Sequence, residues 1–404
     1  MKISMIHPRL SAKGGAENVI MWLSDALLKR GHDVNLISLK SNPSLWGDLQ
    51  ISNEKFIDVG FESKYFVEYM GRKIAPHIQD SDIVCAHNTP AHWWAAAAVR
   101  NLDKPVPLVW YCHEPYRITY FSTTDAESVN RIQDGTAASL PNYTELARRV
   151  KKRVKHEKIF KSRWRRKNDA KAMESVSLIL SNSRFTAENV KQGMGHDSQV
   201  CRPGIPNSDP MQTGEQRTGI AFLSNFVLSK NIFGFLGALD LLVNAHGRTD
   251  IHCHFLGDGN DSRIEKFMKA KELEKYATFH GFVSEKEKQE ILASVKLCVF
   301  VPLCEPFGLV TLESLRAGTP VIGSKSGGPR EVIEDSGAGV LADPYDPNSI
   351  AEAILSIYDD EAALKEMGEK GRALVEDNYL ISHFTDRFEK ELETCLLNRN
   401  SREL

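Results

Sequence analysis

Two glutamates, Glu305 and Glu313, have the types and the spacing that most clearly indicate chemistry in this sequence. Glu305 follows an apolar run at 297–303, and Glu313 lies in the first turns of the predicted helix that comes next. Gly308 opens that helix, so its free backbone N–H groups point at whatever Glu305 faces. Carboxylates hold hydroxyls and amides hold phosphate, so the arrangement suits a ligand that carries both. Glu313 could also be a solvated or capping carboxylate, which is common early in helices.

A glycine loop near the N-terminus is the second candidate. The sequence KGGAE at 13–17 lies between a strand-like run and a helix-like run. Gly15 and its neighbouring glycine let backbone N–H groups approach an anion, and the following helix contributes the positive end of its dipole. A tight turn from strand to helix would use the same glycines, so the loop alone supports both readings.

The elements that must position these residues alternate between strand and helix. The first forty residues predict a strand, a glycine loop, a helix over 16–30 and a second strand over 33–39. Such βαβ units favour a parallel sheet. A Pro- and Gly-rich segment at 201–217 predicts a linker, after which the alternation restarts. We therefore predict two doubly wound α/β domains, 1–200 and 218–381, with a last helix at about 382–404 that packs back near the first domain.

Composition limits the class of protein. The chain has 404 residues, 42% of them hydrophobic and 26% charged, with a formal net charge of −2, as expected for a globular enzyme of two or three domains. This charge gives no overall attraction to nucleic acid or membrane. No apolar run is long enough to span a bilayer, and the N-terminal run lacks the apolar core of a secretory signal. Seven scattered cysteines without a CxxC pair predict buried free thiols and a cytoplasmic protein.

The motifs together identify the sequence as similar to the "glycosyl transferases group 1" family, the retaining family 4 transferases of GT-B fold. Glu305 and Glu313 match the E-x7-E signature of that family. Further matches follow in the order of the family, and they are KGGAE, DIVCAHN, YCHEP, LILSNSRFTAENV, CRPGIP, Lys230, HFLGDG, FHGFVS and GGPREV. They cover most of residues 1–380. The resemblance implies two Rossmann-like domains facing across a cleft, with a nucleotide-diphosphate sugar as the donor substrate and no cofactor.

The resemblance also implies roles for individual residues. Glu313 would bind the ribose hydroxyls of the nucleotide, and Glu305 the hydroxyls of the donor sugar. Lys230 would neutralise the diphosphate. The remaining residues would contact the donor through backbone or side chain: the amides of Phe307, Gly308 and Leu309 at the sugar and phosphates, Gly15 at the diphosphate, Val283 beside the base, and His113 at the donor sugar near the reacting carbon.

One position departs from the family pattern. The family usually has Gly-Arg-Leu ahead of the lysine, whereas this sequence has Ser224 and Asn225 at the aligned glycine and arginine. Asparagine donates a hydrogen bond but brings no charge, and charge-assisted hydrogen bonds contribute roughly 1.5–3 kcal/mol against about 1 kcal/mol for neutral ones. Stabilisation of the leaving diphosphate should therefore be weaker or come from elsewhere. Arg184 and Arg202 are both possible substitutes.

The implied reaction is transfer with retention, in which the acceptor hydroxyl attacks the face that the diphosphate leaves. A metal ion is not expected. Asp80 and Asp82 match the D-x-D pattern of metal-dependent transferases, but they precede a strand, away from the end where ligands bind. The histidines and cysteines show no metal-ligand spacing.

A basic stretch begins at Arg148 and ends at Lys167, and twelve of its twenty residues are Lys or Arg. Ile159, Phe160 and Trp164 interleave with these cations, as on an amphipathic helix that lies on anionic lipid. A solvated surface helix has the same composition. Nucleic-acid binding is not expected, because no recognised module accompanies the stretch.

The function expected from the sequence is therefore metal-independent transfer of a hexose-type sugar, from GDP-mannose or a UDP-sugar, to a glycan or lipid-linked acceptor. Assembly of a cell-surface polysaccharide or glycolipid at the inner membrane face would be the setting. Two alternatives remain open, namely a non-catalytic nucleotide-sugar-binding subunit of a synthase complex and a nucleotide-sugar epimerase on the same fold.

Overall fold

The structure is a computed structural model that describes residues 1–51, 55–60, 65–117, 119–120, 160–207, 216–259 and 261–400. These residues form two compact units. Of the described residues, those up to 207 and those from 378 onward belong to the first unit, and 216–377 belong to the second. No helix within these ranges is long and apolar enough to cross a membrane.

The first unit is built on a parallel sheet of seven strands among its described residues, in the order β3-β2-β1-β4-β5-β6-β7. The strands are β1 (Lys2–His7), β2 (Asp33–Ser38), β3 (Phe56–Asp58), β4 (Ile83–His87), β5 (Leu108–Cys112), β6 (Val176–Ser181) and β7 (Gln199–Val200). The helices are α1 (Gly15–Lys29), α2 (Val67–Ile78), α3 (Ala91–Val99), α4 (Phe160–Met173) and α5 (Arg184–Met194). Every residue of β4 and β5 is buried, as in a strand covered on both faces.

The second unit repeats this plan with six parallel strands in its described part, in the order β10-β9-β8-β11-β12-β13. The strands are β8 (Ile220–Leu223), β9 (Cys253–Leu256), β10 (Ala277–Gly281), β11 (Leu297–Phe300), β12 (Val321–Ser324) and β13 (Gly339–Ala342). The helices are α6 (Ile232–Asp240), α7 (Ser262–Ala270), α8 (Glu285–Ser294), α9 (Leu309–Arg316), α10 (Gly328–Ser336), α11 (Pro347–Leu355) and α12 (Glu361–Asn378). The prediction of two parallel α/β domains is confirmed.

The C-terminal helix α13 (Ile381–Asn400) belongs to the first unit. Its residue Glu389 pairs with His32 at 2.6 Å and also with Arg30, both of which follow α1. Ile205 bridges to Leu380, the residue just before the helix. Gly204 allows this contact, since a Cβ there would lie 2.3 Å from the Leu380 carbonyl oxygen. Residues 201–207 of the Pro- and Gly-rich segment are thus packed within the first unit.

Candidate functional site

Glu305 lies at the carboxyl end of β11, in a loop whose conformation depends on Gly308. The φ angle of Gly308 is +87°, in the left-handed region that favours glycine. A Cβ on Gly308 would lie 2.8 Å from Pro329 and 2.9 Å from the ring of Phe300. Helix α9 begins at the next residue, Leu309, so its free N–H groups face the same loop as Glu305.

Two further glycines hold the Glu305 loop from the other side. The N–H of Gly328 donates to the carbonyl oxygen of Glu305 at 2.8 Å. A Cβ on Gly327 would lie 2.5 Å from that oxygen, and one on Gly328 would lie 2.3 Å from the carbonyl oxygen of Pro306. The start of α10 therefore approaches the loop so closely that only glycine fits at positions 327 and 328. Sequence reasoning assigned no role to this pair, although the motif GGPREV pointed to it.

Lys230 forms an ion pair with Glu305, and the side chains are 28% and 17% exposed, respectively. The backbone brings the two residues together. The carbonyl oxygen of Ser229 accepts a hydrogen bond from the N–H of Leu303 at 3.0 Å. The buried Asn231 donates from Nδ2 to the carbonyl oxygen of Val301 at 2.9 Å and to that of Pro344 at 2.6 Å.

Asn231 is a positioning residue that sequence reasoning missed. It has a φ of 62°, which asparagine tolerates better than most residues, and it immediately precedes α6. Its side-chain amide satisfies carbonyl groups from two other segments, so the loop that carries Lys230 is fixed to the end of β11. In the sequence, Asn231 directly follows Lys230, but the residues that Asn231 contacts far along the chain cannot be inferred from that position.

Glu313 is paired with Lys288, whose Nζ lies 2.8 Å from Oε1 of Glu313. The Glu285 carboxylate also lies 2.8 Å from the same ammonium group. Burial raises the pKa of Glu313, and Lys288 offsets only part of this effect. Burial acts to lower the pKa of Lys288, but the two carboxylates outweigh it and the net pKa is raised. Lys288 was not singled out from the sequence, because the run EKEKQE has the composition of an ordinary solvated helix.

The remaining predicted donor residues of the second unit lie at carboxyl ends of its strands. Phe307 is buried within the Glu305 loop. Asn225 follows β8 and its side chain is exposed, while the N–H of Ser224 donates to the carbonyl oxygen of Leu256 at 3.0 Å. Val283 is half-buried between β10 and α8, the helix that carries Lys288. The structure therefore brings Lys230 into contact with Glu305, and it adds Lys288 as the partner of Glu313.

Gly15 is the first residue of α1 in the first unit, and it is exposed. Gly14 precedes it, and a Cβ there would lie 2.4 Å from the Glu17 carboxylate. Burial raises the pKa of Glu17. The exposed glycine at the helix N-terminus leaves backbone N–H groups accessible, as the anion-binding interpretation of this loop requires.

His113 follows β5 and belongs to a cluster of three buried histidines. His7 ends β1 and His87 ends β4, so three neighbouring central strands each end near an imidazole. The ring centroids of His87 and His113 are 5.9 Å apart, and the His87 ring stacks on Tyr111 at 4.9 Å. The structure shows no hydrogen-bond partner for Nε2 of His7, either ring nitrogen of His87, or Nε2 of His113 among the residues it describes. Only His113 was proposed from the sequence.

These imidazoles are neutral near pH 7. Burial lowers the pKa of His7 to about 4 and that of His113 to about 3, and it lowers the pKa of His87 well below its usual value. Nδ1 of His7 lies 2.8 Å from the carbonyl oxygen of Arg9 and 3.3 Å from its N–H nitrogen. A neutral imidazole can donate one hydrogen bond and accept another, which suits sugar hydroxyls.

The basic stretch is only partly described, since residues 148–159 lie outside the described ranges. Helix α4 begins at Phe160. Trp164 is half-buried and packs edge-on against the buried Trp93, with ring centroids 5.2 Å apart, so its ring contributes to the core of the first unit and not to a free apolar face. Arg165 is also buried, 4.6 Å from the ring of Tyr116. Arg163 and Lys167 are exposed.

Asp82 serves the amino-terminal edge of the first sheet. Its carboxylate accepts a hydrogen bond from the N–H of Lys2 at 2.7 Å, and its own N–H donates to the Lys2 carbonyl oxygen at 2.9 Å. This edge is opposite to the strand ends that carry the histidines. Within the described ranges, no three His, Cys, Asp or Glu side chains are grouped so that they could hold a metal ion.

Two parallel-sheet α/β units of this kind are the GT-B fold. The family model "Glycosyl transferases group 1" matches residues 208–374, and the model "Glycosyltransferase Family 4" matches residues 13–209. The chain belongs to the group 1 glycosyltransferase family. The chain spans 59% and 53% of the length of two of the curated relatives that it matches.

Two similar curated proteins are mannosyltransferases. Human alpha-1,3/1,6-mannosyltransferase ALG2 is 28% identical over 249 residues, which cover 54% of this chain and 59% of ALG2. The Dictyostelium discoideum ALG2 is 22% identical over 425 residues, covering 95% of this chain and 96% of that protein. Among solved structures, Anabaena HepE in complex with UDP-glucose aligns with a TM-score of 0.72 and 16% identity, over 98% of this chain and 100% of HepE. That structural likeness shows the fold.

Lowering the pH from 6.5 should destabilise the first unit, because the unfolded chain then binds protons that the buried histidines do not. Each of the three histidines contributes up to about 1.4 kcal/mol of unfolding free energy per pH unit between its unfolded and folded pKa values. All six tryptophans lie in the first unit, so urea unfolding followed by tryptophan fluorescence reports on this unit alone. His87→Phe should reduce the pH slope, and the exposed His196→Gln should leave it unchanged. A slope equal in His87→Phe and wild type would contradict the prediction.

Replacing Lys288 with alanine should raise the KM for the donor more than it lowers kcat, because Glu313 loses its counter-cation. The pKa of Glu313 should then rise further, so the defect should be largest at low pH and shrink as rising pH restores the carboxylate. Lys286→Ala is the matched control, since Lys286 lies on the same helix with its side chain 81% exposed. Equal pH profiles for Lys288→Ala and wild type would show that the protonation of Glu313 does not affect donor binding.

Proposed function

We propose that the protein is a retaining glycosyltransferase that moves a hexose from a nucleotide-diphosphate donor to a glycan or lipid-linked acceptor. One observation carries the proposal: two lysine–glutamate pairs, Lys230 with Glu305 and Lys288 with Glu313, flank the glycine-opened N-terminus of α9. The two carboxylates can bind hydroxyls. Beside them, an ammonium group and free backbone amides can bind phosphate. That combination matches a nucleotide sugar, which has hydroxyls at both ends and a diphosphate between them.

The second unit would hold the donor along this edge. Glu313 accepts hydrogen bonds from the ribose hydroxyls, and Glu305 from hydroxyls of the transferred sugar. The diphosphate lies between them, where Lys230 and the amides of Gly308 and Leu309 contact it. The helix macrodipole adds roughly half a positive charge at this point. The resemblance assigns Val283, which precedes the helix that carries Lys288, to the base.

The chemistry then depends on positioning and charge stabilisation. As the bond between the sugar and the diphosphate breaks, negative charge accumulates on the diphosphate, where Lys230 and the helix N-terminus act. The acceptor hydroxyl attacks the same face, which gives retention. The resemblance assigns the neutral His113 to the donor sugar and Gly15 to the diphosphate.

The names of similar proteins support a hexose donor. ALG2 is named as a mannosyltransferase, and HepE was crystallised with UDP-glucose. GDP-mannose and UDP-glucose are therefore the first donors to test. Metal ions are not required in this scheme, because Lys230 and the start of α9 supply the positive charge and Asp82 is engaged in bonding β1.

The test is turnover by the purified protein with a panel of nucleotide sugars, in the presence of excess EDTA. Glu305→Ala and Glu313→Ala should each reduce transfer at least roughly tenfold, since each removes about 1.5 kcal/mol or more of charge-assisted bonding. Glu313→Ala should also weaken binding of the free nucleotide, whereas Glu305→Ala should chiefly affect the sugar-bearing donor.

Full activity in both variants would overturn the site assignment. Binding of a nucleotide sugar without any turnover would favour the non-catalytic subunit instead. An absolute requirement for Mg²⁺ or Mn²⁺ would overturn the metal-independent scheme. Inversion at the anomeric carbon of the product, read by NMR, would overturn retention.

We also propose that the first unit contacts an anionic membrane through the basic stretch. Arg163 and Lys167 are exposed on α4, and the exposed aromatic residues Tyr65, Phe66 and Tyr69 lie at the start of α2. The ring of Tyr65 is 5.4 Å from that of Trp164, so these aromatic residues adjoin α4. These three aromatic residues provide the apolar contact with lipid that the sequence predicted for Trp164. Cations beside exposed aromatic rings are typical of a surface that binds at a lipid interface.

Anionic liposomes should therefore sediment the protein at low salt, and neutral liposomes should not. The double variant Arg163→Gln/Lys167→Gln should bind less, because each cation near an anionic surface contributes about 1 kcal/mol. A variant with Lys286→Gln and Lys370→Gln in the second unit removes the same charge elsewhere and should bind normally. If wild type binds neither vesicle type at low salt, the helix is an ordinary solvated surface and a soluble acceptor is favoured.

A further inference from the structure

A cavity of about 470 Å³ lies in the second unit, at the amino-terminal edge of its sheet. Arg217 precedes β8, Lys296 precedes β11, and Gly318 precedes β12, so the wall comes from three neighbouring strands. Helix α12 covers the opposite side and contributes Lys365 and Arg372. Glu305 follows β11 at the carboxyl edge, so the cavity is separate from the candidate donor site.

The two guanidinium groups of the cavity converge on one oxygen atom. Nη2 of Arg217 and Nη2 of Arg372 both donate to the carbonyl oxygen of Ala317, at 3.0 and 3.2 Å. Gly318 leaves room for them, since a Cβ there would lie 2.8 Å from the Arg372 guanidinium and 3.2 Å from that of Arg217. Two like charges are thus held in close contact.

No carboxylate among the described residues forms an ion pair with either guanidinium. Within the described ranges, Arg217 bonds only to the carbonyl oxygens of Ala317 and Gly318 and to the hydroxyl of Thr319. Nε of Arg372 is buried and, among the described residues, has no hydrogen-bond partner. Burial, and to a smaller extent Arg372, lowers the pKa of Arg217, which reflects this unfavourable environment.

The other charges that line the cavity do not cancel the two arginines. Lys296 pairs with Glu361 at 2.5 Å, so these two compensate each other. Glu369 is then the carboxylate that remains against Arg217, Lys365 and Arg372. Arg217 caps the carbonyl groups at the end of α9, which explains its position. Capping does not explain why Nε of Arg372 has no partner among the described residues, or why the exposed ammonium group of Lys365 lines the same cavity.

We propose that this cavity binds the phosphate group of a small phosphorylated ligand. A phosphate offers several acceptor oxygens to the converging donors of Arg372 and Arg217, and its charge relieves their mutual repulsion. Lys365 contributes a third cation from the rim. The remaining volume of the cavity accommodates a small organic group. Helix α9 links the two edges of the sheet, because its N-terminus faces the Glu305 loop and its C-terminal carbonyl groups hold the two arginines.

The experiment is calorimetric titration of the full chain with inorganic phosphate, at constant ionic strength maintained with sodium chloride. Wild type should show saturable binding. Arg372→Gln and Lys365→Gln should each raise the Kd for phosphate by roughly tenfold, because each removes a charge-assisted contact. Lys370→Gln is the matched control, since Lys370 lies on the same helix and pairs with Glu366 outside the cavity.

Lys230→Ala distinguishes this cavity from the candidate donor site. Binding retained in Lys230→Ala and weakened in Arg372→Gln and Lys365→Gln supports the proposal. Binding lost in Lys230→Ala and unchanged in the other two variants overturns it, as does the absence of saturable binding to wild type. If Arg372→Gln fails to fold because Ala317 loses a hydrogen bond, the exposed Lys365→Gln decides the outcome alone.

Discussion

The Glu305 loop depends on close approach between backbone segments, and only glycine permits that approach. Gly308 turns the chain into α9 with a positive φ, and Gly327 and Gly328 bring the start of α10 against the carbonyl oxygens of Glu305 and Pro306. A side chain at any of these positions would force the loop that carries Glu305, or the segments packed against it, to shift. This packing positions the ion pair between Glu305 and Lys230. It also positions the N-terminal amides of α9 and Glu313, which lies on the same helix.

The two units solve the problem of buried polar groups in opposite ways. In the second unit, Glu305 and Glu313 are each paired with a lysine, and removing either partner of a pair would leave an uncompensated charge in a poorly solvated position. In the first unit, the three histidines avoid that cost by staying neutral, as their lowered pKa values show. The second unit therefore has ion-paired carboxylates near its strand ends, and the first unit has buried neutral imidazoles there.

The fold could be predicted from the sequence because its signals are local. Buried parallel strands give continuous apolar runs such as 297–303, and glycine and proline mark the turns between them. Glu305 and Glu313 could also be identified, since they flank one such strand and its helix. Lys288 and Asn231 could not, because their partners lie far along the chain, in another helix or in loops after other strands, and their own segments look like ordinary surface. Trp164 was misread for the same reason, since neighbouring cations conceal a ring that packs inward.

The charge balance at the proposed donor site constrains how a diphosphate could be held there. Asn225 brings no charge where the family usually has arginine, and the ammonium of Lys230 is already paired with Glu305. A diphosphate with two or more negative charges therefore cannot rely on Lys230 as an isolated cation. It must share this ammonium with Glu305, and that sharing is favourable only if Glu305 gains hydrogen bonds from sugar hydroxyls at the same time. The pair would then favour a donor with both sugar and diphosphate over a free diphosphate, because only the complete donor compensates both members. The N–H groups of α9, which carry no counter-charge, supply the remaining attraction.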